Sequence, residues 1–164
     1  MTLKTAVSLP TLVALRQEWR AEGKTVVCTN GVFDLLHYGH LQYLEAARAL
    51  GDVLVLGLNS DASTRRYKGP LRPLVPEHER AALVLALEPV DYVVIFEEPT
   101  AERLVEQLRP DIYCKGGDYA AGGAKPLPEA AVVERYGGRV ELIAYLPGHS
   151  TSELIDLIRA RYGA

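Results

Sequence analysis

The chain has 164 residues, of which 48% are hydrophobic and 24% charged, and its formal net charge is −3. This length suits one domain with a substantial core. The small negative charge gives no basis for a surface that binds nucleic acid or anionic membranes. No stretch approaches the ~20 apolar residues of a membrane-spanning helix, and the first residues lack the apolar segment of a secretory signal. We therefore expect a cytoplasmic protein with neither nucleic-acid nor membrane partners.

Helical and strand-like patterns alternate along the chain. Helices are predicted at 8–23, 38–50, 77–87, 100–108, 128–136 and 150–161, from apolar faces and from terminal Pro and Gly residues. Short apolar or β-branched runs predict strands at 25–30, 53–59, 91–96, 111–115 and 139–146. Such alternation predicts an α/β, Rossmann-like fold, with a doubly wound five-stranded parallel sheet and helices on both faces. We expect a single domain over 1–164, comprising a leading helix in 1–23 and an α/β core in 24–164.

Two cysteines lie in these predicted strands. Cys28 and Cys114 are far apart in sequence, and each belongs to an apolar run. Reduced, buried side chains are therefore expected rather than a disulfide or a metal site.

Polar and glycine-rich segments follow the predicted strands. NGVFDLLHYGH (30–40), NSD (59–61), KGGDY (115–119) and PGHSTSE (147–153) each begin where a strand ends. The turns that lead back into the strands are short and plain. In doubly wound parallel sheets, ligands bind outside the carboxyl ends of the strands. The pattern therefore predicts a ligand site at that edge of the sheet.

Two histidines lie three residues apart at the start of the helix predicted at 38–50. At this spacing His37 and His40 share a face, and Gly39 between them leaves room for a ligand to approach the backbone. The first helical turn also offers free N–H groups and the positive end of the helix dipole. These features favour a phosphate site. Polar surface histidines or zinc ligands are the alternatives, but zinc needs further ligands, and only His78, His149 and the two cysteines remain. No protein-built metal site is predicted.

The segment GVFDLLHYGH resembles the G-x-F-D-x-x-H-x-G-H signature of the cytidylyltransferase-like nucleotidyltransferases, which share the fold of the class I aminoacyl-tRNA synthetases. GDVLVLGLNSDASTRRYKGPLRPL, EHERAALVLALEPVDYVVIFEE, PDIYCKGGDY and GHSTSELI are similar, in order and spacing, to the adenylyltransferase domain of the bifunctional heptose-phosphate kinase/adenylyltransferases of bacterial ADP-heptose synthesis. The likeness covers nearly the whole chain. It implies one nucleotidyltransferase domain that transfers AMP from ATP to a sugar 1-phosphate and releases pyrophosphate. D-glycero-D-manno-heptose 1-phosphate is the expected acceptor.

The resemblance also assigns roles to individual residues. His37, His40 and Lys68 are expected to be catalytic, by neutralising charge on the nucleotide phosphates. Nucleotide binding is expected of Gly31, Val32, Phe33, Gly39, Lys115, Gly116, Gly117, Asp118, Ser150, Thr151 and Ser152. Acceptor binding is expected of Asp34, Asn59, Asp61 and Arg80. The triphosphate is expected to carry Mg²⁺, and a homodimer is a possible assembly because dimers are common for this fold.

Ordinary structural roles compete with several of these assignments. Asp34 could form an Asx turn or a helix cap, and Asn59 and Asp61 could be turn formers. Arg80 could be a helix-surface residue. Ser150 and Glu153 fit a capping box, which is compatible with phosphate binding at the same helix start.

A basic cluster precedes the KGPLRP segment. We predict that Arg65, Arg66 and Lys68 lie in a loop containing Gly and Pro, and that KGPLRP is a mobile flap that closes Lys68 over the substrates. A solvated surface is the alternative for such a run of charges.

Three other functions compete with adenylyl transfer. Glycerol-3-phosphate cytidylyltransferases, which use CTP, carry an arginine and an acidic residue just before G-x-S-T, and YLPGHSTS lacks both. A non-catalytic nucleotide-binding module is expected to have lost a charge-stabilising residue, whereas His37, His40 and Lys68 are all present. A dinucleotide-dependent oxidoreductase needs G-x-G-x-x-G after the first strand, a pattern that TNGVFDLLHYGH does not contain.

Overall fold

The computed structural model describes residues 5–116 and 127–163. Its helices are α1 (Leu9–Ala21), α2 (Tyr38–Arg48), α3 (Asp61–Lys68), α4 (Glu77–Leu85), α5 (Glu102–Leu108), α6 (Pro128–Arg135) and α7 (Thr151–Tyr162). Its strands are β1 (Val26–Gly31), β2 (Val53–Asn59), β3 (Tyr92–Phe96), β4 (Ile112–Gly116) and β5 (Arg139–Ile143). The elements predicted from the sequence are present, but β5 ends three residues before its predicted limit.

Helix α3 was not predicted. Ser60 caps it by accepting a hydrogen bond from the backbone N–H of Ser63 at 3.1 Å. Its sequence, DASTRRYK, has no apolar stripe, and its two buried residues are Ser63 and Thr64. Hydrophobic periodicity therefore carried no signal for this helix.

The five strands form one parallel sheet with the order β3-β2-β1-β4-β5. The predicted fold class is therefore confirmed. The winding reverses between β1 and β4, since the chain runs from β1 towards β3 and then returns to the other side of β1. A crevice is expected at this reversal, beyond the carboxyl ends of the two strands.

Helices cover both faces of the sheet. On one face, Leu12 and Trp19 of α1 pack in a cluster with residues of α5 and α6. On the other face, Leu44 of α2 and Val84 of α4 belong to a second cluster. All seven residues of β2 are buried between these layers. No helix in the described ranges is long and apolar enough to cross a bilayer.

The two cysteines are buried and free, as predicted. Cys28 belongs to the cluster that includes α1, and Cys114 to the cluster that includes α2. The two thiols therefore face opposite sides of the sheet.

Substitution of Gly57 in β2 should destabilise the fold. A Cβ at this position would lie 2.5 Å from Cδ2 of Leu104 and 3.3 Å from Cβ of Asn30. We expect Gly57→Ala to lower the free energy of unfolding by about 1–3 kcal/mol through overpacking, measured by urea denaturation. Gly116→Ala at the end of β4 is the matched control, because a Cβ there meets open space. Equal stability of the two variants would contradict the prediction.

Candidate active site

A cleft of about 580 Å³ opens at the carboxyl ends of β1 and β4, where the winding reverses. The predicted site residues that line it are Gly31, Val32, Phe33, Asp34, His37, Gly39, His40, Asn59, Lys68, Lys115, Gly116, Ser150, Thr151 and Ser152. The two histidines therefore share one cavity with the start of α7. Asp61 and Arg80 are not among the lining residues. Gly117 and Asp118 lie outside the residues that the structure describes.

The two imidazoles stack on each other at the start of α2. Their ring centroids are 3.8 Å apart, with an angle of 25° between the ring planes. The backbone N–H of His37 donates a hydrogen bond to Nδ1 of His40 at 3.4 Å. In the neutral His40 ring the proton is therefore on Nε2. Phe33 flanks His40, with the two ring centroids 5.0 Å apart.

Both histidines are held in the neutral form. Burial lowers the pKa of His40 to about 4, and the neighbouring His37 adds to this shift. Burial also lowers the pKa of His37, His149 lowers it further, and Glu153 opposes the change. At pH 7 each ring thus offers one N–H donor and keeps the capacity to take up a proton. An anion bound beside them would favour that uptake.

Two glycines give the surrounding loops their shape. A Cβ on Gly31 would lie 2.8 Å from the ring of Phe33, whose own φ is +48°. A Cβ on Gly39 would lie 2.9 Å from Cβ of His149 and 3.2 Å from its carbonyl oxygen. Gly39 was predicted to let a ligand reach the backbone. In the structure it makes room for the connection between β5 and α7.

The start of α7 is bound to the loop that precedes α2. Ser150 caps α7 by accepting a hydrogen bond from the backbone N–H of Glu153 at 3.1 Å, which is one of the two bonds of the predicted capping box. The Thr151 hydroxyl donates to the carbonyl oxygen of Leu35 at 3.4 Å. The Tyr145 hydroxyl donates to the carbonyl oxygen of His149 at 2.6 Å. These contacts hold the hydroxyl-bearing end of α7 against the histidine loop.

Asp34 anchors the segment that follows α3. Its carboxylate is 2% exposed and accepts hydrogen bonds from the backbone N–H groups of Leu74 and Val75 and from Nε of Arg72, the last at 2.6 Å. Burial alone would raise the pKa of Asp34, but these donors lower it below its usual value. Asp34 is thus neither a simple turn former nor a helix cap. Both carboxylate oxygens of Asp34 are already hydrogen-bonded. We therefore infer that Asp34 positions Arg72, which lines the cleft, rather than binding the acceptor as predicted.

Arg80 is completely buried, so the alternative surface position is wrong, and its contact with an acceptor phosphate stays a prediction that this burial does not favour. Its guanidinium donates to the carbonyl oxygens of Val75, Val32 and Asn59, at 2.8, 2.5 and 3.0 Å. It also forms a 2.7 Å ion pair with Asp61. Asp61 was predicted to bind the acceptor, but its carboxylate is directed to Arg80. A buried guanidinium needs several acceptors, and this site supplies them.

The basic cluster lies on helix α3 and not in a loop, which corrects the prediction. Lys68 is the last residue of α3 and lines the cleft, with Nζ 4.8 Å from the centroid of the Tyr67 ring. Arg66 donates to the carbonyl oxygen of Glu97, and Arg65 is exposed. Since Asp34 holds residues 72–75, the KGPLRP segment is anchored at its carboxyl end. The predicted flap motion stays a prediction for the part nearest Lys68.

The floor of the cleft joins β1 to β4. Nζ of Lys115 donates to the carbonyl oxygen of Asn30 at 3.2 Å, and the Tyr113 hydroxyl donates to Oδ1 of Asn30. Gly116 follows at the end of β4, where no side chain narrows the cavity. Lys115 is thereby held as a cation at the strand end, the place predicted for it.

Sequence reasoning did not select several residues that line the cleft: Tyr43, Tyr67, Arg72, Pro99, Thr100, Glu129, Tyr145 and His149. His149 lies within the GHSTS segment, so its place in that segment was an available signal. Glu129 is buried and accepts a hydrogen bond from the backbone N–H of Ala101 at 2.8 Å. An acidic residue in a first helical turn is common, and its burial could not be deduced from its position in the sequence.

The described part of the cleft has no carboxylate cage of its own. Among residues 5–116 and 127–163, no three His, Cys, Asp or Glu side chains are arranged to hold a metal ion. The polar side chains that line the cleft are mainly imidazoles, hydroxyls and cations, which suit a polyphosphate.

A parallel sheet of this order, with stacked histidines and a hydroxyl-bearing helix start at its switch point, defines a class of nucleotide-binding α/β proteins. A sequence model of the family described as cytidylyltransferase-like matches residues 28–154. The chain belongs to the cytidylyltransferase-like family of nucleotidyltransferases.

Relatives of known name support this assignment. The bifunctional protein HldE of Syntrophotalea carbinolica is 58% identical over 147 residues, which cover 87% of this chain and 29% of that protein. The HldE protein of Geobacter metallireducens is 53% identical over 156 residues, or 95% of this chain and 31% of that one. The resemblance drawn from the motifs is therefore confirmed. The chain spans about a third of the length of these relatives.

Solved structures share the fold. The lipopolysaccharide core biosynthesis protein of Thermoplasma volcanium has a TM-score of 0.60 and 32% identity, over 76% of this chain and 98% of that one. The pantoate-beta-alanine ligase of Francisella tularensis has a TM-score of 0.58 at 11% identity, over 90% of this chain and 69% of that one. The second similarity concerns the fold alone.

Removal of the buried guanidinium should be costly. Arg80→Met would leave the Asp61 carboxylate and three carbonyl oxygens without their donor. We expect the free energy of unfolding to fall by about 3–5 kcal/mol, measured by urea denaturation. Arg65→Met on the exposed side of α3 is the matched control and should change stability by less than about 0.5 kcal/mol. A similar small change in Arg80→Met would contradict the proposed anchoring role.

Stability should depend on pH through His40. The folded-state pKa of about 4 lies below the unfolded value of about 6.5, so the unfolded chain binds the proton first. The contribution of His40 is complete above about pH 6.5 and is lost as the pH falls towards 4, at a cost of up to roughly 3 kcal/mol. His40→Gln should reduce the slope of stability against pH in this window, whereas His78→Gln at an exposed position should keep it. Equal slopes in wild type and His40→Gln would contradict the assignment.

Proposed function

We propose that this chain is a nucleotidyltransferase domain that transfers AMP from ATP to a sugar 1-phosphate. The proposed acceptor is D-glycero-D-manno-heptose 1-phosphate, and the products are ADP-heptose and pyrophosphate. The observation that carries the proposal is the single cleft lined by His37, His40 and the start of α7. Identity of 53–58% to the HldE relatives supports the choice of reaction within the family.

The reaction requires one bond to form and one to break at the α-phosphorus of ATP. An oxygen of the acceptor phosphate attacks the α-phosphorus, and the bond from this phosphorus to the oxygen shared with the β-phosphate breaks. That oxygen keeps the bonding electrons and leaves as part of pyrophosphate. The protein supplies no covalent intermediate. Its work is to hold the two phosphates in line and to stabilise the charge that grows on the leaving group.

The two neutral imidazoles suit this task. Nδ1 of His40 accepts a hydrogen bond from the backbone of its own loop, so Nε2–H is the donor that remains for a ligand. His37 lies against it in the stacked pair. Both rings are uncharged before the nucleotide binds, which avoids repulsion at 3.8 Å. A phosphate between them and α7 would raise their pKa values and strengthen their hydrogen bonds as charge develops.

Fixed and mobile cations complete the proposed site. Arg72 is held by Asp34, and Lys115 by the carbonyl of Asn30, so these two charges are pre-positioned on the cleft wall. Lys68 is exposed at the end of α3 and is suited to follow a substrate as it binds. Ser150, Thr151 and Ser152 add hydroxyl and backbone donors at a helix start for the outer phosphates.

His149 extends the proposed set of imidazoles. Its Nδ1 lies 3.0 Å from the carbonyl oxygen of Pro147 and must be the donor, since a carbonyl only accepts. The neutral ring therefore has a lone pair on Nε2. His149 is thus a third imidazole among the residues that line the cleft.

Magnesium is proposed as part of the substrate, because the described cleft has no carboxylate cage and Asp34 is already engaged. Mg²⁺ keeps several waters and binds readily to substrate phosphates. Homodimer formation and a cytoplasmic location remain predictions.

The proposed activity is tested by pyrophosphate release. Each of the four nucleoside triphosphates is mixed with heptose 1-phosphate, glycerol 3-phosphate or other small sugar phosphates, with Mg²⁺ or with EDTA. We expect turnover with ATP and heptose 1-phosphate that depends on Mg²⁺. Turnover with CTP and glycerol 3-phosphate would support the cytidylyltransferase alternative. Nucleotide binding without turnover of any pair would support the non-catalytic alternative.

The imidazoles should control turnover more than binding. Each of His37→Ala and His40→Ala should lower kcat by about 10²-fold or more, the size expected for a lost donor to developing charge. His78→Ala, at a side chain that is 85% exposed, is the control and should retain full activity. Wild-type kcat in both active-site variants would show that the imidazoles serve the fold alone.

A further inference from the structure

A second cavity of about 160 Å³ lies at the opposite edge of the sheet from the cleft. It is formed by residues of α1, the connection from α5 to β4, and the turn between α6 and β5. Arg16, Arg20, Arg109, Asp111 and Tyr136 supply its polar side chains. We call it the arginine pocket. It shares no lining residue with the cleft.

One arginine of this pocket is fixed by the fold. Arg16 is 7% exposed, and its Nε donates to the carbonyl oxygen of Arg109 at 3.1 Å. Its Nη2 forms a 2.8 Å ion pair with Oδ1 of Asp111. The other oxygen of Asp111 accepts the backbone N–H of Val26 at 2.8 Å. The one carboxylate of the pocket is thus already engaged by both of its oxygens.

The other two arginines have no ion-pair partner among the described residues. Arg20 is exposed at the end of α1, and the Arg109 guanidinium lies over the Tyr136 ring, 5.6 Å from its centroid. Three guanidinium groups and one carboxylate leave a net charge of +2 around a small cavity. Arg20 and Arg109 are exposed, so solvent screens part of the repulsion between these like charges, and a bound anion would compensate the rest.

Two further features of the pocket need an explanation. The backbone of Arg109 is left-handed, with φ +49° and ψ +60°, in a place where glycine is the usual residue. Local strain of this kind is often retained where the side chain is needed. Tyr136 also lines the pocket, and its hydroxyl, which is buried in the interior, has no hydrogen-bond partner among the described residues.

We propose that the arginine pocket binds one small tetrahedral oxyanion, either orthophosphate or the phosphate group of a small phosphomonoester. Guanidinium groups bind phosphate oxygens by paired hydrogen bonds, and the bonds made by Nε and Nη2 already fix the Arg16 guanidinium at the pocket. The volume equals that of roughly five waters, which is enough for one phosphate but too small for a nucleotide. A bound oxyanion would cross-link α1 to the starts of β4 and β5, and it would neutralise the pocket.

The arginine pocket lies at the edge of the sheet opposite the cleft. Its proposed binding of an oxyanion therefore does not depend on the proposed nucleotidyltransferase activity. Binding is measured by titrating uniformly ¹⁵N-labelled protein with sodium phosphate, with sodium chloride adjusted to hold the ionic strength constant. Amide signals report the two regions separately: residues 109–111 (Arg109 and Asp111, since Pro110 has no N–H) and 136–138 surround the arginine pocket, and residues 31–40 and 150–152 surround the cleft. Glycerol 3-phosphate in a parallel titration distinguishes a phosphomonoester from free orthophosphate.

We expect saturable shifts at 109–111 and 136–138 with a millimolar dissociation constant. The double variant Arg20→Gln/Arg109→Gly should weaken this binding by about tenfold or more, because it removes two charge-assisted donors. Glycine suits the left-handed backbone at 109, so this variant is expected to fold. Arg103→Gln on α5 is the matched control for a lost exposed charge and should bind as the wild type does.

Three results would overturn the proposal. The first is a set of shifts confined to the cleft. The second is a response at 109–111 and 136–138 that follows ionic strength and does not saturate. The third is an unchanged dissociation constant in the double variant. A higher affinity for glycerol 3-phosphate than for orthophosphate would support a phosphomonoester as the ligand, and the reverse would support free phosphate.

Discussion

The buried guanidinium of Arg80 is the interaction on which the cleft depends. It binds carbonyl oxygens of the loop after β1, of the last residue of β2 and of the segment before α4, and it pairs with Asp61 at the start of α3. Four chain segments thus meet at one cation that water does not reach. A charge in this position requires every one of its acceptors, so the segments cannot separate without a large cost in free energy. The loop that carries the two histidines is built on this support.

Asp34 performs a similar function with the opposite charge. Its carboxylate binds the backbone of 74–75 and the side chain of Arg72, and so brings a cation to the wall of the cleft. Arg80 and Asp34 hold the surrounding loops in place, so the two imidazoles are not needed for this. They lie stacked and uncharged at the surface of the cavity. The cleft therefore presents cations and neutral N–H donors before any ligand binds, which is the arrangement that the proposed catalysis requires. The arginine pocket at the other edge has a similar excess of cations without a hydrophobic cavity around it.

The strand and helix order could be predicted from the sequence because each buried strand is a short apolar run and each covering helix has an apolar face. The edge that carries the site was also predictable, since polar residues follow the strands and parallel strands end together. Helix α3 was missed because it is polar, short and capped by Ser60. The positions of Asp61 and Arg80 were misjudged for a related reason. A charged residue is usually exposed, and nothing in the local sequence shows that three carbonyl oxygens will surround it.

The sequence by itself determined the fold class, the family and the convergence of His37, His40 and Ser150–Ser152, because periodicity and motif spacing are local properties of the chain. Only the tertiary structure decided what the polar side chains contact. In the folded protein Asp34 pairs with Arg72, and Arg80 pairs with Asp61. Gly39 lies against His149. Arg16, Arg20 and Arg109 come together around one cavity. The pairs Arg80–Asp61, Asp34–Arg72 and Gly39–His149 are 19, 38 and 110 positions apart in the sequence. Their energies depend on burial and on partners that come together only when the chain has folded.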